Sequence, residues 1–254
     1  PLRFALFTLF FPSLVAGPIK RYQQFQQALE KGLEVENKQM IVAGLILIST
    51  GYLKKVLLAD NLAWYVEQTH TIFQYCSLCQ RWEFLILLSL RIYLDFSAYS
   101  DIAVGLAMTF GIDLIRNFNW PYFAINIKDF WHRWHISLST WIRDYIYIPL
   151  GGGKQGILRT ASNGALAFAL CGLWHGAQWH YVFWGLYHGL GLAVCNTYRR
   201  LPAGIGERLY VFMNHFPLAK WFITYAFVSF GWLFFFYPVN DAWRMIRLLF
   251  IPVE

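Results

Sequence analysis

The chain has 254 residues, of which 57% are hydrophobic, 20% aromatic and only 14% charged. A soluble globular domain is nearer about 45–50% apolar and about 25% charged, so this composition excludes an ordinary water-soluble domain and predicts an integral membrane protein. The net charge of +7 does not point to nucleic acid, because the basic residues stand in short groups between apolar stretches. Lys20-Arg21, Lys54-Lys55 and Arg199-Arg200 with Arg208 fit cytoplasmic loops or anionic headgroups instead.

A spanning helix needs about 20 mostly apolar residues. Residues 2–16 read as the tail of a span ending at Gly17-Pro18, and residues 19–38 as a loop or surface helix. A span is expected over 40–59, interrupted late by Lys54-Lys55, whose stems can snorkel to the headgroups. The apolar stretch 84–112 is longer than one span requires, and reads either as one long tilted helix or as two segments broken near Ser97–Ser100. Residues 113–129 are loop-like around the turn signal Trp120-Pro121.

Residues 130–148, wound as a helix at about 100° per residue, segregate into two faces. Trp131, Trp134, Leu138, Trp141, Ile142 and Tyr145 share an apolar arc. His132, Arg133, Ser137, Ser139, Thr140, Arg143 and Asp144 take the remainder, and His135 falls at the boundary. Such a helix lies in the interface or lines a polar cavity. Pro149 and Gly151–Gly153 end it.

Residues 161–195 suffice for nearly two spans, with a break at His175-Gly176-Ala177-Gln178. Broken backbone at membrane depth is tolerated where it lines a wet cavity, so His175 is expected to face one, and His135 with it. Residues 198–216 read as a polar, basic loop, 218–237 as a span ended by Pro238, and 242–251 as the start of a further apolar segment. The chain opens on Pro1 inside one apolar run and stops inside another. It is therefore expected to be one membrane domain, residues 1–254, lacking spans at the N-terminus and some at the C-terminus.

Polar rings are costly in lipid, which makes the buried histidines the first functional candidates. From the residues alone, His175 is either a general base or a core histidine satisfied by a backbone carbonyl. His135 either orients or assists a base, or is a polar edge residue of its helix. His132 and His180 read as interfacial, and His188 as supporting or structural. Asp95 and Asp101 are expected to pair with Arg91 or another buried base, with a proton relay or substrate contact as the alternative. Arg143 and Asp144 are adjacent, so they should point apart and pair elsewhere. Asn117 and Asn119 should fix the turn before Trp120-Pro121. Gly151–Gly153 with Lys154 lacks the spacing of a phosphate loop. Cys76-x-x-Cys79 has no second pair to complete a zinc site, so no metal centre is expected.

Four ordered blocks resemble the membrane-bound O-acyltransferase family, most closely its bacterial alginate O-acetylation type. They are Ala16-Gly17-Pro18-Ile19, Tyr93-Leu94-Asp95-Phe96-Ser97-Ala98-Tyr99-Ser100-Asp101, the run from Asn117 through Phe130-Trp131-His132-Arg133-Trp134-His135-Ile136-Ser137 to Gly152, and Leu173-Trp174-His175-Gly176-Ala177 with Trp184-Gly185-Leu186-Tyr187-His188-Gly189. His132 departs from the pattern, which has Arg there. The resemblance implies an all-α, multi-span bundle with re-entrant or interfacial helices around a central tunnel, in the bacterial cytoplasmic membrane. It implies His175 and His135 as the catalytic pair. Asp95, Asp101, Asn117, Arg143, Asp144, Trp174 and His188 are the candidate channel or supporting residues. The implied reaction moves an acyl group, expected to be acetyl, from a cytoplasmic thioester such as acetyl-CoA to a hydroxyl of an exported polysaccharide or a secreted partner protein, with no bound cofactor. Two other readings stand beside it: an export channel, suggested by Arg91, Asp95 and Asp101, and a histidine-box metalloenzyme, suggested by His132-x-x-His135.

Overall fold

The computed structural model describes residues 2–14, 17–34, 38–197 and 204–252. Among these the regular elements are all helical. Ala16 of the first block and the Arg199-Arg200 pair lie outside the described residues. The chain divides into two compact units, residues 1–68, 87–119 and 135–138, and residues 69–86, 120–134 and 139–254.

The first unit holds α1 (Leu2–Leu9), α2 (Tyr22–Glu34), α3 (Lys38–Leu53), α4 (Asp60–Thr71) and most of α5 (Leu78–Thr109). A π-helical turn over Lys54–Ala59 joins α3 to α4 without a break. Lys38–Thr71 is thus one 34-residue helix, apolar and long enough to cross a bilayer, extending past the expected 40–59. Its Leu45, Ile46, Leu53, Val56 and Leu57 are exposed, an apolar surface suited to lipid. The 84–112 stretch is one helix, without a break near Ser97–Ser100. A serine-glutamine capping box starts it: Ser77 Oγ accepts from Gln80 N at 3.4 Å, and Gln80 Oε1 accepts from Ser77 N at 2.9 Å.

Small residues let α3 and α5 close up. A Cβ on Gly105 would stand 2.6 Å from the carbonyl oxygen of Gly44, too near for any side chain. Ion pairs tie the same helices. Lys54 bonds Asp101, and Lys55 bonds Asp95 at 2.7 Å and Asp60 at 2.6 Å. The two aspartates are therefore paired, as expected, but with Lys54 and Lys55. Arg91 instead stands 3.8 Å from Glu67. A hydrophobic cluster of Phe10, Phe25, Val104, Ala107, Met108 and Ile112 packs the end of this unit.

The second unit is built on a helical hairpin, α8 (Ile157–His175) and α9 (Trp179–Thr197), broken where the sequence predicts. The hairpin closes on glycine. A Cβ on Gly185 would meet the carbonyl oxygen of Phe168 at 2.0 Å, and one on Gly172 that of Tyr181 at 2.1 Å. The helix α11 (Pro217–Phe236) starts on proline and stops before Pro238, and it too is long and apolar enough to span. The expected loop 198–216 contains a helix, α10 (Ile205–Asn214). The segment after Pro238 is α12 (Val239–Leu248), ten residues with charge on one face, so it does not begin a span. Arg81 is buried and donates to the carbonyls of Phe73, Gln74, Leu248 and Ile251, a satisfied structural charge.

Candidate active site

The expected continuous helix over 130–148 is interrupted. Asn126 caps α6 (Ile127–Arg133) by accepting from Asp129 N at 2.8 Å. Trp134 is then extended, His135 takes a left-handed conformation at φ 42°, and α7 (Ile136–Ile142) follows. A π-helical turn, Arg143–Tyr147, completes the segment. Trp131, Trp134, Leu138 and Ile142 of the predicted apolar arc are all buried, so periodicity found the face although it missed the break. Trp141 and Tyr145 are exposed, and so is His132.

His135 is consequently not at the edge of a helix. It is 5% exposed and meets the Phe96 ring edge-on at 4.7 Å. A left-handed non-glycine residue costs roughly 1–2 kcal/mol, which surrounding bonds must offset. Asn117 supplies them. Its carbonyl accepts from Ile136 N at 2.9 Å, and its Oδ1 accepts from Ser137 Oγ at 2.6 Å and Ser137 N at 3.3 Å. Ser137 Oγ in turn accepts from Ile19 N at 3.0 Å. Helical periodicity places Ser137 on the polar face. The structure makes it the buried middle of a three-segment clamp, and Asn117 retains a buried Nδ2 with no hydrogen-bond partner among the described residues.

His175 closes α8 in the second unit. Four rings surround it: Trp174 at 4.9 Å, Phe235 at 5.1 Å, Trp184 edge-on at 5.3 Å and Tyr181 stacked at 6.4 Å. Gly176 turns the chain closely against Tyr181, whose ring would stand 2.6 Å from any Cβ there. Trp174 is exposed. No hydrogen bond reaches the His175 ring among the described residues, so the alternative of a core histidine satisfied by a carbonyl does not describe it. His180, five residues on, fits that description. It is buried, its Nδ1 lies 3.1 Å from the Phe234 carbonyl, and its Nε2 lies 2.7 Å from Gln178 Oε1. Thus one histidine at the α8–α9 break has both ring nitrogens committed and the other has neither.

Two other expectations change. Arg143 and Asp144 do not point apart: Arg143 Nε donates to Asp144 Oδ1 at 2.7 Å, and this bond raises the guanidinium pKa. The wider π-helical winding lets the long side chain reach its neighbour. The Gly151–Gly153 turn is held by Asn163 of α8, which donates to the Leu150 and Gly152 carbonyls at 3.0 and 3.1 Å, a turn-fixing role. Cys76 is buried and Cys79 exposed, and burial raises the Cys76 thiol pKa. Among the described residues no three His, Cys, Asp or Glu side chains are grouped to hold a metal ion.

Comparison with known proteins extends the four blocks to the chain as a whole. A peptidoglycan O-acetyltransferase of Helicobacter pylori is 40% identical over 238 residues, covering 92% of this chain and 44% of that protein. A probable alginate O-acetylase of Pseudomonas aeruginosa is 38% identical over 248 residues, covering 97% of this chain and 45% of its own length. A teichoic acid D-alanyltransferase of Bacillus subtilis is 30% identical, covering 92% of this chain and 60% of its own length. The chain thus spans less than half of the first two relatives. The sequence pattern of the membrane-bound O-acyltransferase family matches residues 1–237, and the chain belongs to that family.

Proposed function

We propose that this chain is the acyl-transfer region of a multi-span enzyme of the bacterial cytoplasmic membrane. It moves an acetyl group from a cytoplasmic thioester, acetyl-CoA, to a hydroxyl of an exported polysaccharide or of a secreted partner protein. The single observation behind this reading is His175. It stands at a helix break, aromatic side chains flank its ring, and neither ring nitrogen is hydrogen-bonded among the described residues. Relatives named for peptidoglycan, alginate and teichoic acid support a hydroxyl-bearing envelope polymer as acceptor.

The chemistry needs one base and one stabilised oxyanion. An alcohol is a poor nucleophile at neutral pH, and a neutral imidazole accepts its proton as the oxygen attacks the thioester carbonyl. The tetrahedral oxyanion then collapses, the carbon–sulfur bond breaks, and the departing thiolate takes the proton back from the imidazolium. His135 is assigned the supporting role, binding the acceptor or the developing oxyanion. The aromatic walls keep bulk water from competing with the acceptor hydroxyl. A central tunnel through the bundle brings donor and acceptor to the bond being formed.

His175→Ala in the full-length protein, scored for acetyl transfer and abundance together, tests this reading. A fall of about 10²–10⁴-fold at normal abundance is expected for loss of a general base. Full transfer at normal abundance refutes it.

A further inference from the structure

His188 on α9 is fully buried among Phe130, Trp131, Trp184, Tyr187, Phe227 and Trp232, with ring centroids at 5.1–6.3 Å. Neither of its nitrogens meets a hydrogen-bonding group among the described residues, and the indole N–H groups of Trp131 and Trp184 do not either. These three rings touch one another: Trp131 to His188 is 5.2 Å, Trp184 to His188 is 5.1 Å and Trp131 to Trp184 is 6.0 Å. Four buried polar atoms without a hydrogen-bond partner among the described residues are therefore carried by three mutually packed rings. The helix α11 packs closely on His188, since a Cβ on Gly231 would stand 2.8 Å from its Nε2.

Buried polar groups in native proteins are satisfied, and by ordered water where no protein group does it. Two indole donors with one imidazole nitrogen as acceptor form a set that a single water molecule can complete, by accepting twice and donating once. An acyl chain would satisfy none of them. Trp184 also connects this cluster to the candidate base, because it meets the His175 ring edge-on at 5.3 Å.

We propose that Trp131, Trp184 and His188 hold a buried water, and that this wet cluster fixes Trp184 as the wall against which His175 is oriented. His188 is then a positioning residue for acyl transfer, an assignment that rests on His175 being the base.

The test uses full-length protein in detergent with His188→Phe, which keeps an aromatic ring and removes both nitrogens, and His188→Gln, which keeps a donor and an acceptor. Thermal unfolding, kcat and KM are measured, together with diethyl pyrocarbonate labelling of His175 read by mass spectrometry. With His188→Phe, kcat is expected to fall about tenfold at an unchanged KM, and the His175 labelling rate to change with it. His188→Gln should recover much of both. Native kcat and native labelling in a folded His188→Phe protein overturn the proposal, as does an experimental map that resolves waters and finds the cluster dry. If His188→Phe does not accumulate, Trp131→Phe, which removes one donor, is measured in the same way: a lower kcat with altered labelling is expected, and native values of both overturn the proposal. If His175→Ala retains full transfer while His188→Phe alters His175 labelling, the base assignment falls and the positioning contact stands. If His175→Ala is inactive while labelling is indifferent to His188, the positioning proposal alone falls.

Discussion

The two units hold their candidate histidines by opposite means. In the first, His135 sits in a strained left-handed turn, clamped by Asn117 and Ser137, beside helices tied by Lys54, Lys55, Asp95 and Asp101. In the second, His175 sits at an ordinary helix end among aromatic rings, and the helices close through Gly172 and Gly185. Polar bonds fix the backbone of one site, and ring packing fixes the side chain of the other. A turn whose geometry is over-determined tolerates little change at its anchors. A ring held only by neighbouring rings keeps its nitrogens available for chemistry.

The largest contrast lies within the second unit, between His175 and His180. His175→Ala should abolish transfer with little loss of folded protein. His180→Ala should do the reverse, because it strips a bond from the buried Phe234 carbonyl and leaves a cavity, at a cost of about 2–3 kcal/mol. Thermal unfolding and transfer assays on the two variants check this. Equal effects on both readouts would erase the distinction between a committed and an uncommitted imidazole.

The next effect probes the strained turn. His135→Val places a β-branched residue at φ 42° and should cost about 2 kcal/mol more than His135→Asn, since asparagine accepts the left-handed region. Asn117→Ala should cost about 2 kcal/mol by leaving Ser137 and the turn without their acceptor. All three should lower transfer. A ranking in which Asn is worse than Val would show that the imidazole, and not the backbone angle, sets the stability of this segment.

A smaller loss is expected at the ion pairs. Lys55→Met removes the common partner of Asp60 and Asp95, whose side chains are 51% and 44% exposed, so the cost should be about 1 kcal/mol and not the larger figure of a fully buried pair. A loss above about 3 kcal/mol in a urea or thermal titration would mean that lipid shields these carboxylates far more than their exposure suggests.

Much of this contrast is legible in the sequence, and its limits are physical. The break after His175 shows because glycine interrupts an apolar run, and the end of α11 shows because Pro238 follows it. The apolar arc of 130–148 identifies Trp131, Trp134, Leu138 and Ile142 as buried, since a helical face survives a change of direction between two short helices. The change itself is invisible, because His135 is not glycine and nothing in the pattern announces a positive φ. Lys54 and Lys55 can be recognised as charges in an apolar segment, yet their pairing with Asp101 and Asp95 is a contact 40 or more residues away that periodicity cannot supply. His188 is visible only as a polar ring among aromatics. That its neighbours Trp131 and Trp184 also leave their donors unmet among the described residues emerges only from the three-dimensional arrangement.

The smallest expected effect concerns Lys20, which the sequence presents as a headgroup-facing base beside Arg21. Its ammonium instead lies 5.0–5.2 Å from the ring centroids of Phe7, Phe10 and Phe25 and donates to the Phe7 carbonyl at 2.6 Å. Burial pulls its pKa from 10.5 down to about 8. Between those two values the unfolded chain binds more protons than the folded one, so stability should rise as pH increases from about 8 towards 10.5. Water reaching the partly exposed side chain screens much of this shift, so the rise should be only a few degrees in Tm, and it should vanish in Lys20→Met. A fall in stability over the same range that Lys20→Met removes would mean that the three ring faces favour the ammonium more than burial disfavours it. The first unit would then hold this cation by the same aromatic means that the second uses for His175.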